Sequence, residues 1–204
     1  MRAVIICGGT ITDYDYIRAQ LDDSDTIICA DSGYLHAVQM GLVPDIVVGD
    51  FDSLGEIPSG TAFIQYPSQK DLTDTEIAIE YARDKGFTEF LLIAATGSRI
   101  DHSLTNILLL KSILESGGQA VIINENNKVM ITGSQLYLHE PPGSIVSLIP
   151  LSDCRGVTTE NLKYPLHNTA MYIGKGLGIS NIMTEDNAAV HVREGLLLVI
   201  VATD

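Results

Sequence analysis

Two carboxylates, Asp50 and Asp52, follow a short β-branched run, Ile46-Val47-Val48, and a glycine, Gly49. The run reads as a buried strand. Gly49 lets the backbone turn or come close to a ligand. If the chain stays extended through Phe51, side chains alternate and both carboxylates point the same way. Paired oxygen donors at a strand end suit Mg²⁺, a hard cation that keeps much of its water. The same residue types also build ordinary turns, and this stretch alone leaves both readings open.

Groups of matching chemistry recur where other strands are expected to end. Ligands of open α/β sheets bind beyond the carboxyl ends of the strands, so shared position matters more than any single group. Gly8-Gly9-Thr10 could let a phosphate approach the backbone, although it lacks the spacing of a P-loop and equally suits a turn. Asp31 could meet a ribose or a metal, or cap the next helix. Asp71 and Asp74 straddle a helix start, where the dipole alone favours acidic residues. Asp74 sits in the first turn, from which its carboxylate could reach a metal. Arg99, after Gly97-Ser98, suits bidentate phosphate contact, with a salt bridge to Asp101 as the alternative. No chemistry is assigned to His102.

These groups need a frame to hold them. The pattern predicts strands near residues 3–7, 26–30, 45–48, 62–66, 90–95 and 120–123. Helices are expected near 14–21, 34–40, 74–85 and 101–116. The third is marked by a capping box, Thr73 with Glu76, and by Gly86 at its stop. The fourth has Leu104, Ile107, Leu108, Lys111 and Leu114 or Glu115 marking its turns. Strand and helix alternate, and the strands are β-branched without alternation. That combination indicates a mostly parallel, Rossmann-like sheet with helices on both faces. After Asn124-Glu125-Asn126-Asn127 no convincing helix appears. Short strands crowd together instead, near 128–132, 135–139, 144–149, 170–173, 188–193 and 196–202. Gly133-Ser134 and Glu194-Gly195 read as hairpin loops, and Pro141-Pro142-Gly143 as a turn. Residues 1–126 are therefore expected to form an α/β domain, and 127–204 a small β-sandwich or barrel.

Composition narrows the partners. The 204 residues are 46% apolar and 19% charged, enough for a sizeable core. Net charge is −14, with 19 acidic and 7 basic residues in 1–126 but 7 and 5 in 127–204. No Lys/Arg cluster offsets it, so nucleic acid is not an expected partner. No apolar run approaches a membrane span, and no membrane partner is expected. Cys7, Cys29 and Cys154 are odd in number and widely spaced, with no CxxC, which suggests buried thiols and a cytoplasmic setting. An anionic ligand near these carboxylates would be repelled. Each carboxylate ~5 Å from a phosphate charge costs roughly 3 kcal/mol at an effective dielectric of about 20. A divalent metal removes that penalty.

Four segments in order carry a resemblance to a known family: Ala30-Asp31-Ser32-Gly33, Gly49-Asp50-Phe51-Asp52-Ser53, Lys70-Asp71-Leu72-Thr73-Asp74-Thr75-Glu76 and Thr96-Gly97-Ser98-Arg99-Ile100-Asp101-His102. Together they resemble the thiamine pyrophosphokinases, and the likeness spans nearly the whole chain. Gly156-Val157-Thr158-Thr159-Glu160-Asn161-Leu162 and Gly178-Ile179-Ser180-Asn181 are similar to that family's thiamine-binding β domain. The resemblance implies diphosphate transfer from ATP to the hydroxyl of thiamine, giving thiamine diphosphate and AMP. It also implies Mg²⁺ and a homodimer with sites at the subunit interface. Carried over, Asp50, Asp52 and Asp74 hold metal. Asp31, Gly33, Lys70, Thr73 and Arg99 bind nucleotide. Asp71, Asp74, Arg99 and Asp101 serve catalysis, with Asp71 or Asp101 accepting the hydroxyl proton. Ser180 and Asn181 reach thiamine. Two features depart from the family. The chain has no Trp to stack on thiamine, leaving Tyr164, Tyr172 or a small apolar wall. Ser32 and Ser98 stand where glycine is common. Two other readings remain: a different Mg²⁺-dependent nucleotide or phosphate-ester hydrolase, and a non-catalytic thiamine- or nucleotide-binding module.

Overall fold

Five-residue strands buried on both faces dominate the first part of the chain. In the computed structural model, which describes residues 1–51, 60–67, 69 and 71–203, the chain divides into two units, Met1–Glu125 and Asn126–Asp204. The first runs β1 (Arg2–Ile6), α1 (Tyr14–Arg18), β2 (Thr26–Ala30), α2 (Gly33–Gln39), β3 (Ile46–Gly49), β4 (Phe63–Gln65), α3 (Asp74–Asp84), β5 (Glu89–Ile93), α4 (Ile100–Glu115) and β6 (Gln119–Ile123). Its strands lie in the order β6-β5-β1-β2-β3-β4, and every neighbouring pair is parallel. Val4, Ile6, Ile27, Cys29, Val47, Leu91 and Ile93 share one buried cluster with Ile17 of α1 and Ala37 of α2. α3 packs on β1, β2 and β3, and α4 on β6. Coverage from both sides explains why these strands carry no polar alternation.

α3 begins where its capping box places it. Thr73 is extended, and its side-chain oxygen accepts the Glu76 amide at 3.2 Å. α4 turns a different face inward from the one the sequence suggests. Asn106, Leu110 and Ile113 are buried, while Leu104 and Leu108 are 53% and 45% exposed. Both stripes are apolar, so periodicity alone could not choose between them. Burial of Leu110 and Ile113 contributes about 1.5–3 kcal/mol each, whereas Leu104 and Leu108 leave their apolar surface open on this chain.

The second unit runs β7 (Asn127–Thr132), β8 (Gln135–His139), β9 (Ile145–Pro150), β10 (Cys154–Glu160), β11 (Thr169–Met171), β12 (Asn181–Ile182), β13 (Asn187–His191) and β14 (Leu197–Ala202). Its strands form two antiparallel layers, β12-β9-β14-β7 and β11-β10-β13-β8. Leu138, Val157, Met171 and Val190 of one layer meet Val146, Leu148, Leu197 and Val199 of the other in one core. This is a small sandwich.

Neither expected hairpin forms. β7 and β8 flank Gly133-Ser134 but belong to opposite layers, as do β13 and β14 around Glu194-Gly195. Both loops are corners that carry the chain across the core. They meet, since the Val192 amide donates to the Ser134 carbonyl at 2.7 Å. The Pro141-Pro142-Gly143 turn does form: Ser144 N–H donates to the Pro141 carbonyl, with Gly143 at φ +96°. Proline then glycine at the two central positions is the type II pattern.

Among the described residues no helix is long and apolar enough to cross a membrane. Cys7, Cys29 and Cys154 are buried and free. Burial pushes the Cys7 and Cys29 thiols up to about 12, so both stay protonated and inert.

Candidate active site

From β1 the chain builds outward through β2, β3 and β4, then returns to lay β5 on the other side of β1. The chain therefore leaves β1 toward β2 and β5 toward β6, in opposite directions, which makes this part of the carboxyl edge a topological switch point. A cleft of about 770 Å³ lies there.

Each strand end brings a different part. After β1, Gly8-Gly9-Thr10 forms one wall, with Gly9 N–H donating to the Ala94 carbonyl at 2.7 Å and Thr10 N–H to the Thr96 carbonyl at 2.8 Å. A Cβ on Gly9 would stand 2.3 Å from both of those oxygens, so only glycine lets the two loops approach this closely. After β2 comes Asp31, buried and left-handed at φ +43°. At the end of β3, Gly49 packs closely on Asp31, since its Cβ would lie 3.0 Å from the Asp31 Cβ. Asp50 follows directly and lines the cleft.

α3 points its first turn at the same space. Thr73, Asp74 and Thr75 line the cleft, and the Thr75 side chain bonds the Cys7 thiol at the end of β1. After β5 the lining continues from Ala94 to Arg99. The buried Asn106 reaches back from α4, its Nδ2 donating to the Ala95 carbonyl at 2.8 Å. Asn106 is a residue the sequence reading missed. A polar side chain in register with Leu110 and Ile113 was its only signal. Among the described residues six non-glycines have left-handed φ, and Asp31, Phe51 and Ala94 lie within two residues past β2, β3 and β5. Backbone strain of about 1–3 kcal/mol at each, gathered on one sheet edge, marks that edge as functional.

Asp31, Asp50, Thr73, Asp74, Arg99 and Asp101 thus share one cleft. Asp71 is exposed just ahead of α3 and is not part of the lining. Gly33 opens α2, where its Cα packs against the Ile6 carbonyl outside the lining. Asp52 and Lys70 lie outside the described residues. Ser180 and Asn181 belong to the second unit. Ser180 is exposed, and its amide donates to Ser147 Oγ at 3.0 Å. Asn181 is buried and occupied: Oδ1 accepts the Tyr164 and Ile182 amides at 2.9 Å, and Nδ2 donates to the Tyr164 carbonyl at 2.7 Å. Its amide presents Tyr164, which is 60% exposed, and retains one N–H.

Arg99 and Asp101 form an ion pair, with Nη2 2.6 Å and Nε 3.3 Å from the carboxylate. The Arg99 hydrogen bonds hold the Asp101 carboxyl down to about 2. The arginine is charged and largely exposed, so an incoming phosphate can compete for it. Arg99→Met is expected to return the Asp101 pKa toward the ordinary ~3.9, readable by carboxyl ¹³C titration. An unmoved value would show that another group holds it down.

The donor set fits Mg²⁺. Asp31, Asp50 and Asp74 supply only oxygen, from three separate segments around one cleft. Among the described residues no three His, Cys, Asp or Glu side chains stand close enough to hold an ion by themselves. Mg²⁺ asks for no such cage, since it takes one or two carboxylates and fills the rest with phosphate oxygens and water.

Comparison with known proteins gives the same picture over most of the chain. Residues 17–122 match the description "Thiamin pyrophosphokinase, catalytic domain", and residues 134–197 match "Thiamin pyrophosphokinase, vitamin B1 binding domain". The chain belongs to the thiamine pyrophosphokinase family. Thiamine pyrophosphokinase of Bacillus subtilis (strain 168) is 28% identical over 209 residues, covering 98% of both chains. The crystal structure of the Bacillus subtilis enzyme superposes with a TM-score of 0.91 at 25% identity, covering both chains in full. That of a thiamin pyrophosphokinase family protein from Enterococcus faecalis gives 0.84 at 26%, again over both chains. The match to the family's catalytic domain contains all four carboxylates of the cleft, but begins after the Gly8-Gly9-Thr10 loop.

Proposed function

We propose that this protein transfers the diphosphoryl group of ATP to the hydroxyl of thiamine, releasing AMP and thiamine diphosphate. The supporting observation is the convergence of Asp31, Asp50, Asp74, Arg99 and Asp101 on one cleft in a chain matched by both domains of the family. Phosphoryl-group transfer asks little covalent help of a protein. Placement of the reactants and neutralisation of charge carry the rate.

Asp50, Asp52 and Asp74 would hold Mg²⁺, which when bound cancels charge on the phosphate oxygens. Asp31, Lys70 and Thr73 would fix the nucleotide. Arg99 would leave or share Asp101 to take charge on the transferred group. Asp101 would orient Arg99 until phosphate draws the arginine away. Proton acceptance would fall to Asp101 once released, or to Asp71. Ser180 would face thiamine, with Asn181 holding the adjoining Tyr164 backbone.

The protein would act as a cytoplasmic homodimer with sites at the subunit interface. The exposed stripe Ile100, Leu104 and Leu108 on α4 supports a second copy, and the three free thiols suit a reducing setting. Sedimentation at working concentration should give twice the 22.0 kDa chain mass. A monomer would reject the dimer.

The deciding experiment incubates the protein with ATP, Mg²⁺ and thiamine and identifies both products. AMP and thiamine diphosphate in equal amounts are expected. ADP with thiamine monophosphate, or phosphate release that ignores thiamine, would reject the proposal.

A further inference from the structure

A hydrogen-bonded relay reaches the Gly8-Gly9-Thr10 loop from behind the cleft. His36 of α2 is half-buried, with Nε2 2.9 Å from the Gly9 carbonyl oxygen and Nδ1 2.7 Å from the Tyr14 hydroxyl. The Tyr14 ring, from α1, tilts against the imidazole with centroids 5.8 Å apart. A carbonyl oxygen only accepts, so Nε2 must carry a proton. In the neutral ring Nδ1 is then the acceptor, and Tyr14 donates to it. The Gly9 carbonyl thereby selects the tautomer, and Tyr14 satisfies the nitrogen left bare.

The consequence falls on one peptide unit. Between Gly9 and Thr10, the carbonyl is held by His36 of α2 and the N–H by Thr96 after β5. Further along, Glu125 Oε1 accepts the amides of Thr12 and Asp13. Gly8 and Gly9 are glycines because the wall is tight: a Cβ on Gly8 would meet Ser32 Oγ at 2.1 Å. Two glycines in succession are also the most pliable backbone available, and they bring no side chain to anchor themselves. Orientation of this wall must come from outside it: the Ala94 and Thr96 carbonyls hold its amides, and His36 is the side chain that holds its Gly9 carbonyl.

We propose that His36 is a positioning residue: with its ring held by Tyr14, it fixes the Gly9–Thr10 peptide and so the wall against which the nucleotide lies, without touching the nucleotide. The nucleotide part rests on the reading of the cleft given above. The holding of the loop does not, and the two are tested separately.

In the intact protein, ¹⁵N NMR of His36 is expected to show the neutral imidazole as the Nε2–H tautomer, with Nδ1 bare. His36→Ala should speed amide exchange at Gly9 and Thr10 by about tenfold, with β-sandwich amides unchanged. It should raise KM for ATP by about tenfold with kcat altered less than about threefold. His36→Gln can donate to Gly9 and accept from Tyr14, and should restore both. Tyr14→Phe removes the partner of Nδ1 and should leave Nε2 protonated, because the Gly9 carbonyl still needs a donor. An Nδ1–H tautomer in the wild type, an unchanged Gly9 exchange rate, a uniform rise in exchange across the chain, or failure of His36→Gln to rescue would each overturn the proposal. If the wild type binds no ATP, the reading of the cleft fails, and with it the nucleotide part. Tautomer and exchange then decide whether His36 holds the loop.

Discussion

Asp74→Asn is expected to lower kcat for thiamine diphosphate formation by roughly 10²–10³-fold while leaving the fold intact. The separation of the two effects comes from how α3 begins. Thr73 already performs the capping, accepting the Glu76 amide, so the Asp74 carboxylate is not needed to close the first turn. Interaction of its negative charge with the helix dipole is worth about 0.3–1 kcal/mol. In a protein of this length that is a shift of only a few degrees in Tm.

At the cleft the change is of a different order. Asparagine keeps the shape but removes the charge, and an amide oxygen is a weaker ligand for a hard cation. Phosphate charge that the metal would have cancelled is then left facing Asp31 and Asp50. Thr73→Ala should lose about 1 kcal/mol of stability and weaken nucleotide binding, with the metal-site carboxylates still in place. Steady-state rates and thermal melts on both variants check the pair. Wild-type turnover by Asp74→Asn at limiting Mg²⁺ would remove this residue from the metal site.

What the sequence made legible follows from how local each signal is. The Thr73–Glu76 box is written in four adjacent residues, and α3 starts there. The parallel strands were readable because burial on both faces leaves a run such as Ala3-Val4-Ile5-Ile6 without a polar residue. The strand-end rule then located the cleft without any knowledge of strand order. Contacts decided at a distance were not readable. Gly133-Ser134 makes a hairpin or a corner depending on which layer the next strand joins, and β8 joins the layer of β13, some fifty residues on. The buried stripe of α4 depends on what packs against it. His36 and Gly9 are 27 residues apart, and nothing near either announces the other. Asn181 reads as a ligand contact in sequence, yet most of its hydrogen-bonding capacity goes to the backbone of Tyr164 and Ile182.

Gly33→Ala is expected to be the most damaging small change to stability, at about 3 kcal/mol. Other glycines show why. Gly86 and Gly117 have φ of +87° and +83° but open space around them, so alanine there meets only conformational strain of about 1 kcal/mol. Gly33 is the first residue of α2 and is limited by space. Its Cβ would stand 1.9 Å from the Ile6 carbonyl oxygen and 3.0 Å from that of Cys7. Those atoms are strand backbone and cannot rotate aside, so α2 must lift away from β1. Ala37, packed without exposed surface in the core beneath α2, would lose its contacts. His36 would be carried away from Gly9 in the same movement. A fall in Tm of about 6–12 °C should therefore accompany weaker ATP binding. Gly117→Ala, measured beside it, should lose about a third as much stability and leave ATP binding unchanged. Equal melting temperatures for the two variants would show that α2 accommodates the methyl group, and the packing argument for Gly33 would fail.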